Sequence, residues 1–261
     1  MNRIRIKRQE EILAACDAEG EALLCFHGAY QPGDTIELES SSQHVIARLD
    51  HTMLPARVYL PDQKWIYALP LEGDLPDGQP PFAFQGDCHA ISLREDAGNE
   101  YRNIACNPAD QRHDSHAYPH ASANVETRDE SVFFARNTID GMHTAAGHGE
   151  WPYLSWGIGG RADAAIRLDF GRKVVTDTMV LYIRADFVHD GYWVKGTLHL
   201  SDGYEKTFDL QKLDGPQAIP LDGPHTVTWA QLDHLITTDA QPSPFPSLRQ
   251  WEFFGRDAEM Q

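Results

Sequence analysis

The chain has 261 residues, of which 41% are apolar and 23% charged, and this composition is typical of a globular protein rather than a disordered one. Its formal charge is −17, which argues against nucleic acid or an anionic membrane as a partner, because both require a basic surface. No apolar run approaches the roughly 20 residues of a membrane helix. The basic segment 1–8 continues into polar residues, not into the apolar core of a signal peptide, so a cytoplasmic protein is expected.

Taken in chain order, the elements are mostly short strands. A helix is predicted over residues 9–16, because Ile12, Leu13 and Cys16 would share one face of it. A second short helix is predicted over residues 230–236. Elsewhere, short runs rich in β-branched and aromatic residues lie between Gly, Pro, Asp and Asn, which predicts a mainly β fold of sandwiches or barrels. The predicted strands lie at 34–38, 45–49, 57–60, 165–170, 178–184 and 197–200.

The segment 107–116 is polar and has no periodic apolar face, which predicts a domain boundary near it. We therefore expect two β-sandwich domains, residues 1–110 and residues 111–261. Two roles are open for the N-terminal domain. It mediates homo-oligomerisation, or it docks on the C-terminal domain to shape a cleft.

The C-terminal half carries an ordered set of local patterns. They are Ala-Arg-Asn-Thr-Ile-Asp-Gly at 135–141, a Trp-rich stretch at 151–156, Ile-Arg-Leu-Asp-Phe-Gly at 166–171 and Gln-Trp-Glu-Phe-Phe-Gly at 250–255. This order resembles the galactose-binding-like β-sandwich of discoidin, or coagulation factor 5/8 type C, domains. The resemblance covers about residues 120–257 and implies a galactose-binding-like jelly roll. The whole chain also resembles a bacterial protein family, on segments such as 123–128 and 184–190, and that resemblance implies a fold but no activity.

The resemblance also implies a structural calcium ion that ties the Asp-Gly loop to the C-terminal strand. The implied ligands are the carboxylates of Asp140 and Glu252 and backbone carbonyls near Asn137, Met142 and Trp251. Such a set suits calcium, which takes about 6–8 hard oxygen ligands. In the alternative interpretation, Asp140 caps its own turn and Glu252 forms an ordinary ion pair.

Histidines give a competing metal signal. His113, His116 and His120 lie close in sequence to Asp110 and Asp114. Imidazole and carboxylate together suit zinc or another transition metal. The alternative is a solvated linker that is rich in histidine.

A sugar site needs an aromatic platform and a few planar donors and acceptors. Two loop clusters of the C-terminal half offer both, and an Arg beside acids suits vicinal hydroxyls. The predicted ligand-binding residues are His148, Trp151, Arg184, Asp186, His189, Asp190, Tyr192 and Trp193. In discoidin-like sugar binders the ligand lies in loops at one end of the sandwich, so the resemblance implies the same placement. In the alternative interpretation, Trp156 and Trp193 are core aromatics, and Arg184 and Asp186 form a structural ion pair with the region of Asp169.

The sequence therefore predicts a non-catalytic protein that binds a carbohydrate or a carbohydrate-like ligand, with a possible structural calcium. One alternative is a metal-dependent glycan hydrolase that uses the carboxylates of Glu150 and Asp190, flanking a scissile bond. Another is a structural protein without a small ligand, in which Trp151 and Tyr192 lie in a subunit interface.

Overall fold

The structure is a computed structural model that describes residues 1–144, 146–237, 243 and 245–258. In this part of the chain, helix is limited to 3₁₀ segments of three to five residues, and the rest of the regular structure is β. The prediction of a mainly β protein built from sandwiches is thus confirmed. None of the helices within these ranges is long and apolar enough to cross a membrane.

The N-terminal half is a sandwich of two four-stranded antiparallel sheets. Its strands are β1 (Asn2–Arg8), β2 (Glu11–Ala18), β3 (Ala22–His27), β4 (Asp34–Ser40), β5 (His44–Arg48), β6 (Ala56–Tyr59), β7 (Lys64–Ala68) and β8 (Cys88–Glu95). One sheet has the order β2-β1-β4-β7 and the other β3-β8-β5-β6. Side chains alternate between the two faces of a strand, so Ile36 and Leu38 of β4 meet Ile91 and Leu93 of β8 in one core.

The helix predicted over residues 9–16 is wrong, since this segment forms the second strand of a hairpin. Gln9, at φ 54°, makes the turn, and Arg8 pairs with Glu11. As a helix, the segment would leave one edge of β1 without backbone partners. Pairing satisfies those groups, and Ile12 stays 53% exposed as a consequence.

The C-terminal half is built on one large antiparallel sheet. Its strands are β9 (Arg102–Asn103), β10 (His120–Ala123), β11 (Trp156–Gly157), β12 (Ile166–Ile183), β13 (Lys195–Leu200), β14 (Glu205–Asp209), β15 (Gln217–Ile236) and β16 (Ser247–Asp257). The order is β11-β16-β12-β15-β13-β14, with β10 added to β12 and β9 to β16.

The long paired strands β12 and β15 bend, so that one sheet supplies both layers of this sandwich. The first part of β12 pairs with β10 and the second part with β16, and the register shifts between Asp169 and Val174. Gly171 lies in this bend at φ 66°, where a Cβ atom would come within 2.3 Å of the Tyr118 ring. The apolar faces of both layers meet in one core that includes Trp156, Trp193 and Trp251.

The helix predicted over residues 230–236 is also wrong, because these residues continue β15. Ala230 and Leu232 are fully buried, whereas Gln231 and Asp233 are half-buried. This alternation has the period of a strand, and both neighbours of β15 are β-strands.

The polar segment after β8 contributes to both sandwiches. Strand β9 pairs with β16 of the C-terminal sheet, whereas Ala109 and Ala117 pack in the N-terminal core. Tyr118 also exchanges backbone hydrogen bonds of 2.8 and 2.9 Å with Tyr59. The domain division between residues 110 and 111 stays a prediction.

Candidate ligand site

The loops at one end of the C-terminal sandwich gather around the end of β12. The loop after β12 runs from the strand end at Ile183 to the start of β13 at Lys195, and β16 begins at Ser247 beside the end of β12. The N–H of Arg184 donates to the Ser247 carbonyl at 2.9 Å, which fixes where the arginine leaves the sheet. Three chain segments therefore share this end of the sandwich.

Five of the predicted ligand residues come together here. His148 Nε2 lies 3.6 Å from Asp190 Oδ1 and 3.8 Å from Asp186 Oδ2. His189 Nε2 and Arg184 Nε lie 3.9 and 3.8 Å from the same Asp190 oxygen. Desolvation and the nearby Arg184 charge outweigh the two acids, so the pKa of His148 lies below its ordinary value.

Asp190 is the centre of this cluster. Its side chain is 1% exposed, and its Oδ2 accepts the N–H of Phe187 at 2.9 Å. Lys212 Nζ donates to the backbone carbonyls of Val188 and Asp190 at 2.9 and 3.0 Å, so the loop is pinned around the carboxylate.

Arg184 also lines an open cavity of about 540 Å³ on this end of the sandwich. Its guanidinium has no hydrogen-bond acceptor within residues 1–144, 146–237, 243 and 245–258, and its nearest carboxylate oxygen is the one 3.8 Å away on Asp190. Phe245, 56% exposed, lines the same cavity. The other lining residues are Thr127, Arg128, Phe133, Gly157, Ile158, Gly159, Pro246 and Ser247.

The aromatic residues of this cavity are not among the ligand residues predicted from the sequence. Phe133 lies under the Arg128 guanidinium, 5.1 Å from it, and Arg128 is held by two 2.6 Å hydrogen bonds to Glu130. Phe245 belongs to the proline-dense segment 242–246, of which residues 242 and 244 lie outside the described residues. A large aromatic residue between prolines in a polar loop was the available signal.

Three predicted ligand residues lie elsewhere. Trp193 is 1% exposed and packs 6.2 Å from Trp156 in the core, so its prediction as a ligand-binding residue is corrected: no face of its ring is available to a ligand. Trp151 lines a separate cavity of about 160 Å³, together with Asp140. Tyr192 is half-buried and packs against the C-terminal core.

The predicted calcium residues surround a glutamine amide. The Gln250 NH₂ group donates to the Asn137 carbonyl at 2.9 Å and to Asp140 Oδ1 at 2.6 Å. Its Oε1 accepts the N–H of Gly141 at 3.0 Å. These three bonds fix which way the amide points, because the nitrogen faces acceptors and the oxygen faces a donor. The Asp-Gly loop is thus tied to β16 as predicted, but through a side chain.

This arrangement does not fit a calcium ion without a rearrangement. Gln250 is 2% exposed, and its NH₂ group fills the position between the oxygens that would bind the ion. Glu252 Oε1 is taken by His143 Nε2 at 2.7 Å and by the Asn103 amide at 3.1 Å. Burial raises the pKa of Asp140 to about 7, the response of a carboxyl group that a low-polarity site keeps from ionising.

The other two predicted calcium residues, Met142 and Trp251, have structural roles. Met142 donates its N–H to Asp140 Oδ1 at 2.8 Å, which is the Asp-capped turn of the alternative interpretation. The Trp251 side chain is fully buried in the core.

The histidines of the polar segment do not form a common cluster among the described residues. His113 and His116 are exposed, whereas His120 is buried and its Nδ1 lies 2.8 Å from Asp110 Oδ1. Asp110 Oδ2 accepts the N–H of Ala121 at 2.9 Å. His120 and Asp110 therefore hold the start of β10 in place.

A second cavity of about 530 Å³ lies where the two sandwiches meet, and its lining includes Leu69, Asp74, Arg112 and Phe134. Here the arginine is already paired. Arg112 Nε lies 2.9 Å from Glu126, and Arg112 also pairs with Asp129. The other arginine of the lining also has an acceptor, because Arg136 Nε donates to the Asp110 carbonyl at 2.6 Å.

The chain matches no family model and no curated protein. Solved structures with a similar fold include a chitosan-binding module of a chitosanase/glucanase from Paenibacillus sp. IK-5, at 16% identity and a TM-score of 0.41, covering 59% of this chain and 99% of that one. The family 32 carbohydrate-binding module of C. perfringens NanJ, solved with galactose, has 17% identity and a TM-score of 0.39, covering 51% and 91%. The corresponding module of Streptococcus pneumoniae EndoD has 12% identity and a TM-score of 0.39, covering 52% and 95%. Sequence identities and TM-scores this low do not indicate a function for this chain.

Proposed function

We propose that the C-terminal sandwich is a galactose-binding-like module that binds a neutral saccharide in the Arg184 cavity. The observation that carries this proposal is the Arg184 guanidinium, which has no hydrogen-bond acceptor among the described residues and lines a cavity with the exposed Phe245 ring. A planar donor beside an aromatic ring matches a pyranose, which presents hydroxyls on its rim and C–H groups on its faces. The net charge of −17 disfavours an anionic ligand.

A calorimetric screen of the intact chain tests this proposal. The probes are galactose and a chitosan oligosaccharide, which represent the ligands named for two of the structurally similar modules. We expect at least one neutral saccharide to bind with a dissociation constant of about 1 mM or tighter, which corresponds to roughly −4 kcal/mol. The Phe245→Ala variant is expected to weaken binding several-fold, because the stacking surface is lost. No heat from any neutral saccharide would overturn the proposal.

The structural calcium implied by the sequence resemblance stays a prediction, and it requires the Gln250 amide to move away. We expect the melting temperature of the metal-free chain to be the same with and without saturating CaCl₂, because Gln250 already satisfies Asn137 and Asp140. A ligand that binds only the folded state raises the melting temperature. A clear rise with CaCl₂, but not with MgCl₂, would therefore restore the calcium site.

The hydrolase alternative is weakened by the position of Asp190. A glycosidase carboxylate must flank the scissile bond, but this side chain is 1% exposed. The location in the cytoplasm and self-association of the chain stay predictions from the sequence.

A further inference from the structure

The cluster beside Arg184 has the composition of a metal site. One ligand atom each from His148, His189 and Asp190 lies within 4.8 Å of the others. The two histidines come from different loops. The ring of Phe187 packs against both, with centroids 4.6 Å from His148 and 5.5 Å from His189, and the two imidazole centroids lie 5.8 Å apart.

A buried oxygen atom points into this cluster without a partner. Asp190 Oδ1 is inaccessible to solvent and has no hydrogen-bond donor among the described residues, although the other oxygen of the same carboxylate is bonded. Asp186 Oδ1 is buried and unpartnered in the same way. An unsatisfied buried carboxylate oxygen is costly, and native structures compensate such atoms with a donor or a cation. Arg184 Nε, at 3.8 Å, is too far away to be that donor.

The spacing suits a small divalent ion. In a tetrahedral zinc site with bonds of about 2.0–2.1 Å, neighbouring ligand atoms are roughly 3.3 Å apart. The distances of 3.6 and 3.9 Å from Asp190 Oδ1 to the two imidazole nitrogens are close to that value. The His189 side chain is 71% exposed and can turn toward the ion without disturbing the core.

The types of ligand atoms determine which kind of ion the site favours. Two imidazoles and one carboxylate favour zinc and similar transition metals, whereas calcium prefers an all-oxygen shell. Three protein ligands leave a fourth position for water or another ligand.

A second group of similar composition, His199, Asp233 and His234, provides a contrast. There Asp233 Oδ1 is already bonded to both histidines, at 2.9 Å from His199 Nε2 and 2.5 Å from His234 Nδ1. Because this oxygen has its partners, the group needs no ion, and it serves as an internal control.

We propose that His148, His189 and Asp190 bind a divalent transition metal ion of the zinc type at the loop end of the C-terminal sandwich. The site adjoins Arg184, but its three ligands do not line the Arg184 cavity. The bound ion would link the 184–194 loop to the 142–155 loop, and it would replace the hydrogen bond that Asp190 Oδ1 lacks.

The test is a titration of the intact, untagged chain, freed of metal, with ZnCl₂ by calorimetry and with CoCl₂ by visible absorption. We expect saturable zinc binding and the cobalt spectrum of a tetrahedral site with nitrogen ligands. The exposed His148→Ala change should lower the affinity at least about tenfold, and Asp190→Asn should do the same. The control His234→Ala should retain the affinity of the original chain. Circular dichroism checks that each variant is folded.

Absence of binding, or wild-type affinity in His148→Ala, would overturn the proposal. A loss confined to His234→Ala would place the ion at the other group and would also overturn it.

Discussion

Replacement of Arg184 by Met is expected to weaken binding of the tightest saccharide from the screen by about tenfold to a hundredfold. The guanidinium can offer two parallel donors to vicinal hydroxyls, and the loss of one hydrogen bond to a charged group, roughly 1.5–3 kcal/mol, corresponds to this range. Since no acceptor among the described residues holds it, the group is available to a ligand. Calorimetry of the variant against the same saccharide measures the loss.

The matched control is Arg256→Met, which removes the same charge from an exposed position that does not line the cavity. It should bind like the original chain. Arg184→Lys keeps the charge but loses the planar fork, and we expect it to bind with intermediate affinity. Full affinity in Arg184→Met would place the saccharide away from this cavity.

The second large effect is expected from Gln250→Ala, which should lower the free energy of unfolding by roughly 2–4 kcal/mol. The change removes the amide that bonds Asn137, Asp140 and Gly141, and it leaves a buried carboxyl group without that donor. Urea unfolding followed by tryptophan fluorescence measures the loss. Five of the six tryptophans lie after residue 110, so the signal reports mainly on the C-terminal half.

Gln43→Ala is the control for this variant. The Gln43 amide also donates to a backbone carbonyl, that of Pro61 at 2.7 Å, but it is exposed, so water replaces the lost bond. We expect a change of less than about 0.5 kcal/mol there. If Gln250→Ala were equally harmless, the Asp-Gly loop would be held by something other than this amide.

Most strands could be predicted because apolar and polar residues alternate within the sequence of each strand. The predicted strands at 34–38, 45–49 and 57–60 fall on β4, β5 and β6. The two wrong helices share a cause. In each segment, the spacing of the apolar residues fits a helix as well as a strand. Backbone pairing with distant strands makes each segment a strand. The partner is β1 in one case, and the partners are β12 and β13 in the other.

The site could be predicted only in part, for a similar reason. Arg184, Asp186, His189 and Asp190 are close in sequence, so one loop carries them together. Trp193 follows in the same stretch but is buried in the core, two residues before β13 begins. The contact between Gln250 and Asp140 joins residues 110 positions apart, and no local pattern indicates it.

A crystal structure of the chain with its tightest saccharide would show directly whether the sugar binds in the Arg184 cavity. We expect the sugar in this cavity, at the loop end of the C-terminal sandwich, with its hydroxyls on the Arg184 guanidinium and one face on Phe245. Density for the sugar in the cavity between the two sandwiches, against Arg112 and Phe134, would contradict it.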